Sequence, residues 1–182
     1  RLGALQKIRL QYRPKVPSLL EDLSAVSFQD REEKKTRSSK TSYLFPKTFA
    51  QAAKILCKKK APKSSSLKVG VIFSGGQAAG GHNVIAGLFD ALKHIANHFE
   101  LIGFLDGPLG IVENRRKILG ADAIAFYRNQ GGFDLIGSGR TKIETSEQLE
   151  AALKNMQDLD GLIVIGGDDS KPNTALRAEF FA

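Results

Sequence analysis

KVGVIFSGGQAAGGHNVIAGLF, Lys68 to Phe89, decides the fold. Its first seven residues, Lys68 to Ser74, form a β-branched apolar run that ends in glycines. From His82 onward, Val84, Ile85, Leu88, Phe89, Leu92, Ile95 and Phe99 recur at helical spacing, which predicts a helix over 82–99. Strand, glycine turn and helix make the first half of a right-handed crossover, and Leu101 to Leu105 (LIGFL) supplies the next strand. Thr145 and Gln148 stand in capping-box relation ahead of a helix at about 146–158, with Leu149, Leu153 and Met156 down one face. Leu162 to Ile165 (LIVI) is then a buried strand closed by Gly166 and Gly167. Runs that are apolar throughout rather than alternating fit a mostly parallel sheet with helices on both faces, an α/β fold.

Working outward, the 182-residue chain divides into two regions. Its formal charge of +8 is a net +11 in residues 1–66 laid over −3 in residues 67–182. Glycine divides the other way, because Gly3 is the only one of 18 before Leu67. Residues 1–66 read as a basic, partly helical extension, with basic runs at Lys34 to Lys40 and Lys58 to Lys63 and extended Pro- and Ser-rich stretches. Within it, Phe49, Ala52, Ala53 and Leu56 predict one helix over 47–59. No aromatic residues interleave with these lysines as a stacking platform requires, so the surplus charge is expected to be a solvated surface and no nucleic-acid partner is expected.

Other classes fall away on composition. One Cys excludes a disulfide scaffold and a Cys-built zinc module. No apolar run approaches the roughly 18 residues of a spanning helix, and the first 30 residues lack a secretory core, so no membrane partner and a cytoplasmic setting are expected. His94 and His98 lie four apart without the intervening Glu of a zinc motif, and with His82 they are not expected to bind metal.

Three clusters carry chemistry. SGGQAAGGHN, Ser74 to Asn83, places Gly75 and Gly76 where positive φ and close backbone approach suit a phosphate, beside the positive end of a helix dipole. It is neither the dinucleotide fingerprint nor the P-loop, since no Lys follows Gly81, and the same glycines also serve a tight turn without any ligand. GGDDS, Gly166 to Ser170, puts adjacent carboxylates at a strand end. Beside a phosphate they need a cation between, and Mg²⁺ is the natural one, while a plain helix N-cap is the alternative role for Asp168 or Asp169. GSGRTK, Gly137 to Lys142, offers Arg140 and Lys142 on a tight loop, with bland surface charge as the alternative.

SGGQAAGGHNVIAGLFDAL, YRNQGGFDLIGSGRTKIET and LDGLIVIGGDDS, in this order and spacing, resemble the long-type pyrophosphate-dependent phosphofructokinases over roughly Leu67 to Ala182. The resemblance implies a phosphofructokinase-like (Rossmann-like) α/β domain over 67–182, incomplete at its C-terminus, behind an extension of the kind that the long type carries. It implies reversible, Mg²⁺-dependent phosphoryl transfer in glycolysis between pyrophosphate and the 1-hydroxyl of fructose 6-phosphate, by a homo-oligomer when full length. Carried over by position, Gly76 contacts the diphosphate through its backbone and Gly75 is its turn partner. Arg140 reaches the phosphoryl oxygens near the transferring group, and Asp168 is associated with Mg²⁺. Asp169 fills the space of the α-phosphate of ATP and so selects the donor, which makes Arg140 and Asp169 the residues of the catalytic site proper. Ala79 stands where the family usually has Pro, and Lys171 and Pro172 depart from its usual GGDDSNTNA. The family's general base and sugar-phosphate motifs do not occur before Ala182, so the chain is expected to be a piece of a longer enzyme and inactive alone. An ATP-dependent phosphofructokinase and a non-catalytic regulatory subunit are the competing readings.

Overall fold

The computed structural model describes residues 2–30, 39–49, 54–59, 62–76 and 80–181. The basic run at Lys34, Lys35 and Arg37 lies outside them, as does Ala79. In the extension, α1 (Ala4–Gln11) and two short 3-10 turns precede β1 (Val26–Asp30), then come α2 (Ser39–Leu44) and β2 (Lys54–Lys58). β1 and β2 pair antiparallel from Val26↔Lys58 to Asp30↔Lys54. The helix expected over 47–59 is therefore not formed at Lys54–Lys58. A cross-strand partner outweighs the helical spacing of Leu56, a case of tertiary context overriding a weak local signal.

The extension docks on the rest of the chain. Asn129 Nδ2 donates to the carbonyls of Arg9 (2.9 Å) and Tyr12 (3.0 Å). The Glu179 carboxylate accepts the Lys47 and Thr48 N–H groups at 2.6 and 2.7 Å and the Thr48 hydroxyl at 2.7 Å.

β3 (Ser64–Ser74), α3 (Gly81–Ile95) and β4 (Ala96–Phe104) build the crossover. α4 (Pro108–Val112), β5 (Arg116–Ile118), α5 (Ala121–Tyr127), α6 (Ser146–Met156), β6 (Gly161–Gly166) and α7 (Ser170–Phe181) follow. Four strands form one sheet in the order β5-β4-β3-β6. β3 is parallel to both β4 (Val69↔Leu101) and β6 (Val71↔Ile163), and β5 is antiparallel to β4. The mostly parallel α/β arrangement is thus present, with an antiparallel edge strand that the sequence did not advertise.

α3 stops sooner than its periodicity suggests. The Ala96 N–H donates to Leu92 O at the cap, and the strand starts there with no intervening loop. Phe99 consequently belongs to β4, where it meets Phe89 of α3 edge-on at 5.1 Å between ring centres. An apolar residue at helical spacing can sit on either element when the strand faces the helix it follows, so periodicity alone cannot place the boundary.

Side chains alternate across β3, so Val71 and Phe73 pack with Ile85, Phe89 and Leu92 of α3 and Ile124 of α5 on one face. Ile72 packs with Ile102, Phe104, Ile111 of α4 and Ala152 of α6 on the other. Val71, Ile72, Ile85 and Phe104 are fully buried, each contributing about 1.5–3 kcal/mol by removal from water. Covering both faces leaves the strand ends as the place where polar loops can gather, and the carboxyl ends of β3 and β6 lie side by side through Ser74↔Gly166.

Candidate functional site

The three motifs meet at that edge, held together largely by backbone. Ser74 forms a parallel bridge with Gly139 beyond the end of β3. The Gly75 N–H donates to Gly139 O at 2.9 Å, and the Ser138 hydroxyl donates to Gly75 O at 2.6 Å. These bonds fix the arginine loop onto the first glycine turn. Gly75 carries φ +100, as a residue without a β-carbon allows. Gly76 does not have positive φ, so its expected conformational role falls to Gly75 alone. Its own requirement is steric, since a β-carbon on Gly76 would stand 3.3 Å from Arg140 Nη2. The Gly75 N–H is occupied, whereas the Gly76 N–H has no partner among the described residues.

The acidic motif is joined by Ser170, the first residue of α7. Its hydroxyl lies 3.1 Å from Ser74 O and 3.0 Å from Ser74 Oγ. Gly166 admits this contact, because a β-carbon there would stand 2.5 Å from Ser74 O and 2.7 Å from Ser170 Oγ. Asp168 and Asp169 are both exposed, and Asp168 Oδ1 accepts Lys171 Nζ at 2.6 Å.

Around these contacts opens a cleft of about 540 Å³. Ser74, Gly75, Gly76, Arg140, Thr141 and Lys142 line it from the first glycine turn and the arginine loop. Gly167, Asp168, Asp169, Ser170, Pro172, Asn173 and Arg177 line it from the end of β6 and from α7. All five residues singled out from the sequence, Gly75, Gly76, Arg140, Asp168 and Asp169, border this one cleft. The first turn of α3, expected to offer N–H groups there, is not among its described lining residues, and the start of α7 is. Ser170, Asn173 and Arg177 are the lining residues that sequence reasoning missed. Ser170 was visible as the closing letter of GGDDS, but Arg177 carried no motif.

His82 resolves to structure rather than ligation. It is 1% exposed, its Nε2 accepts the Leu135 N–H at 3.1 Å, and its ring meets Tyr127 edge-on at 4.7 Å. Burial pushes its pKa down, against smaller upward pulls from the Gly131 carbonyl and Asp134. It anchors the stretch leading to the arginine loop. That stretch is locked further by the Asp106 N–H to Ile136 O (2.8 Å) and the Gly137 N–H to Phe133 O (2.9 Å). Asp106 is itself held by Arg115 Nη1 at 2.6 Å, which raises the Arg115 pKa. Among the described residues no group of three or more His, Cys, Asp and Glu side chains forms a metal cluster, and no helix is long and apolar enough to cross a membrane.

Fold and cleft together define an open α/β protein with a cleft at the carboxyl edge of a mostly parallel sheet, lined by both cations and carboxylates. Within that class the chain belongs to the phosphofructokinase family, whose model, described as "Phosphofructokinase", matches residues 68–178. It is 42% identical over 183 residues to the pyrophosphate--fructose 6-phosphate 1-phosphotransferase of Porphyromonas gingivalis, covering 99% of this chain and 33% of that one. It is 50% identical over 143 residues to the enzyme's subunit beta 2 in Arabidopsis thaliana, covering 76% of this chain and 25% of that one. The crystal structure of a pyrophosphate-dependent phosphofructokinase from Marinobacter aquaeolei shares the fold, with a TM-score of 0.53 at 20% identity over 63% of this chain and 29% of that one. The chain thus spans about a third or less of the length of these proteins.

Proposed function

We propose that this chain carries the phosphoryl-donor side of an enzyme that transfers a phosphoryl group reversibly between pyrophosphate and fructose 6-phosphate. The observation that supports this reading most is the convergence of Gly76, Arg140 and the Asp168–Asp169 pair on one cleft. The unpartnered Gly76 N–H suits a phosphoryl oxygen. Arg140, exposed and fixed to the Gly75 turn through its loop, is placed to stabilise charge that develops on the transferring group. Its backbone is held at the glycine turn before the ligand arrives, which removes part of the entropic cost of positioning.

Mg²⁺ fits the donor set as a phosphate-bridging ion rather than a caged one. Asp168 and Asp169 present exposed carboxylates to the cleft, and Mg²⁺ ordinarily takes one or two carboxylates and completes its shell with water and substrate phosphate. Asp168 would hold it, and when bound it would neutralise charge on the diphosphate oxygens. The Asp169 carboxylate adds a negative charge on the same wall, which repels the additional phosphate of a nucleotide while leaving room for pyrophosphate. Assembly as a homo-oligomer belongs to the same reading; the Arabidopsis relatives, named as beta and alpha subunits, support an oligomer without supporting identical subunits.

The test is a coupled assay of fructose 1,6-bisphosphate formation by the full-length protein. Activity with pyrophosphate and not ATP is expected, with ATP use gained in Asp169→Gly; activity with ATP alone would overturn the donor assignment. The competing reading is a family member that binds phosphorylated ligands without turnover. Retained pyrophosphate binding with no product would select it.

A further inference from the structure

Arg177 stands seven residues into α7, where the polar cleft meets a smaller apolar pocket of about 130 Å³ bordered by Ile111, Ile143, Met156, Leu162 and Val164. It borders both. The guanidinium has no hydrogen bond and no ion pair among the described residues, and its Nε is shut off from solvent without an acceptor. Burial pushes its pKa down from the ordinary guanidinium range, with no neighbouring carboxylate to offset it. The neighbouring lysines differ. Lys142, which lines the cleft, has its Nζ 3.8 Å from Glu144, and Lys171, beside the cleft residues in sequence rather than in the lining, is held by Asp168 at 2.6 Å. Arg140 and Arg177 are the cleft cations without an acidic partner among the described residues.

A half-buried guanidinium with no anion is costly, and the apolar pocket beneath it would accept a Leu or Met side chain at lower cost. What Arg adds is a charged fork at the end of an apolar stem: the stem can line the pocket while the head faces the cleft. We infer that Arg177 is a second phosphate-binding cation of the donor site, gripping one phosphoryl group of the diphosphate from the α7 side while Arg140 holds the other from the β3 side. This rests on the donor reading above and assigns to it a residue outside the three motifs. Two cations carried by different elements fix the orientation of a symmetric ligand, which a single cation leaves free to pivot.

The test uses the full-length protein with Arg177→Met, which keeps the stem and removes the charge, and Arg177→Lys, which keeps a charge without the fork. Binding of pyrophosphate in the presence of Mg²⁺ is followed by calorimetry and by the ligand-induced rise in melting temperature, beside KM values for both substrates. Weakening of pyrophosphate binding by about 10- to 100-fold is expected in Arg177→Met, with the fructose 6-phosphate KM within twofold of wild type and partial recovery in Arg177→Lys. Unchanged pyrophosphate binding in a folded Arg177→Met overturns the inference and leaves the donor reading standing. So does a rise confined to the fructose 6-phosphate KM. A drop in the melting temperature of the unliganded protein without change in affinity overturns it too, because Arg177 then serves stability rather than the ligand. Wild-type protein that binds no pyrophosphate at all defeats the donor reading itself.

Discussion

The Arg140 guanidinium lies beside Gly76, close enough that a single added carbon at Gly76 would stand 3.3 Å from its Nη2. Among the described residues other than its chain neighbours, no other atom comes within 4 Å of that carbon. Gly76→Ala therefore displaces the arginine by a few tenths of an ångström and disturbs little else. A fall in kcat of about tenfold is expected for the full-length enzyme, with the melting temperature unchanged. Equal kcat for the two proteins would show that the position of Arg140 does not matter to turnover.

Gly139 makes the opposite case. A β-carbon there would overlap the backbone carbonyl of Asp106, and neither partner can rotate away. Gly139→Ala should cost about 2–3 kcal/mol and lower the melting temperature by about 5–10 °C. Gly167→Ala, whose added carbon has nothing within 4 Å among the described residues other than its chain neighbours, is the matched control and should melt with wild type.

Burial of His82 predicts an acid-side loss of stability. Its folded pKa lies below the ordinary 6.5, so the unfolded chain takes up the proton first as pH falls. The histidine's contribution is complete above about 6.5 and is lost progressively down to the lowered folded value, with a slope of at most about 1.4 kcal/mol per pH unit. Denaturant melts between pH 8 and pH 5 should show that slope in wild type and its absence in His82→Gln. Parallel curves would mean that the proton goes elsewhere.

Lys171 competes with any cation for Asp168, whose Oδ1 it holds at 2.6 Å. The pair is open to solvent, so the competition is weak. Lys171→Met should lower the Mg²⁺ concentration for half-maximal pyrophosphate binding by about two- to fivefold. An increase would indicate that the ammonium itself helps to hold the diphosphate.

Much of the fold was legible because it is written in short-range pattern. β3 and β6 are apolar runs ending in glycine, and the box at Thr145 and Gln148 forms as read, with the Gln148 N–H on Thr145 Oγ1 at 3.3 Å and the Thr145 N–H on Gln148 Oε1 at 3.2 Å. What was illegible depends on partners distant in sequence. β5 is three residues long and exists by pairing with β4, and Lys54–Lys58 is a strand because Val26–Asp30 lies beside it. At the site, residue type and motif placed Gly75, Gly76, Arg140, Asp168 and Asp169 on one cleft. Arg177 escaped because what marks it is the absence of a partner among the described residues, which only packing reveals.

The direct passage from Ile95 of α3 to Ala96 of β4 bears on the order in which the molecule assembles. Because β4 starts without a loop and its first residue pairs with Ser64, the stretch from Ser64 to Phe104 closes on itself through contacts of modest separation. β6 must instead find β3 by pairing Gly161 with Val69, after α4, β5, α5 and α6 have intervened. Loop closure of that length is slower, so the crossover is the natural nucleus and β6 the late arrival. The glycine turn at Gly75 then takes shape early in folding, and the acidic pair that follows β6 joins it later.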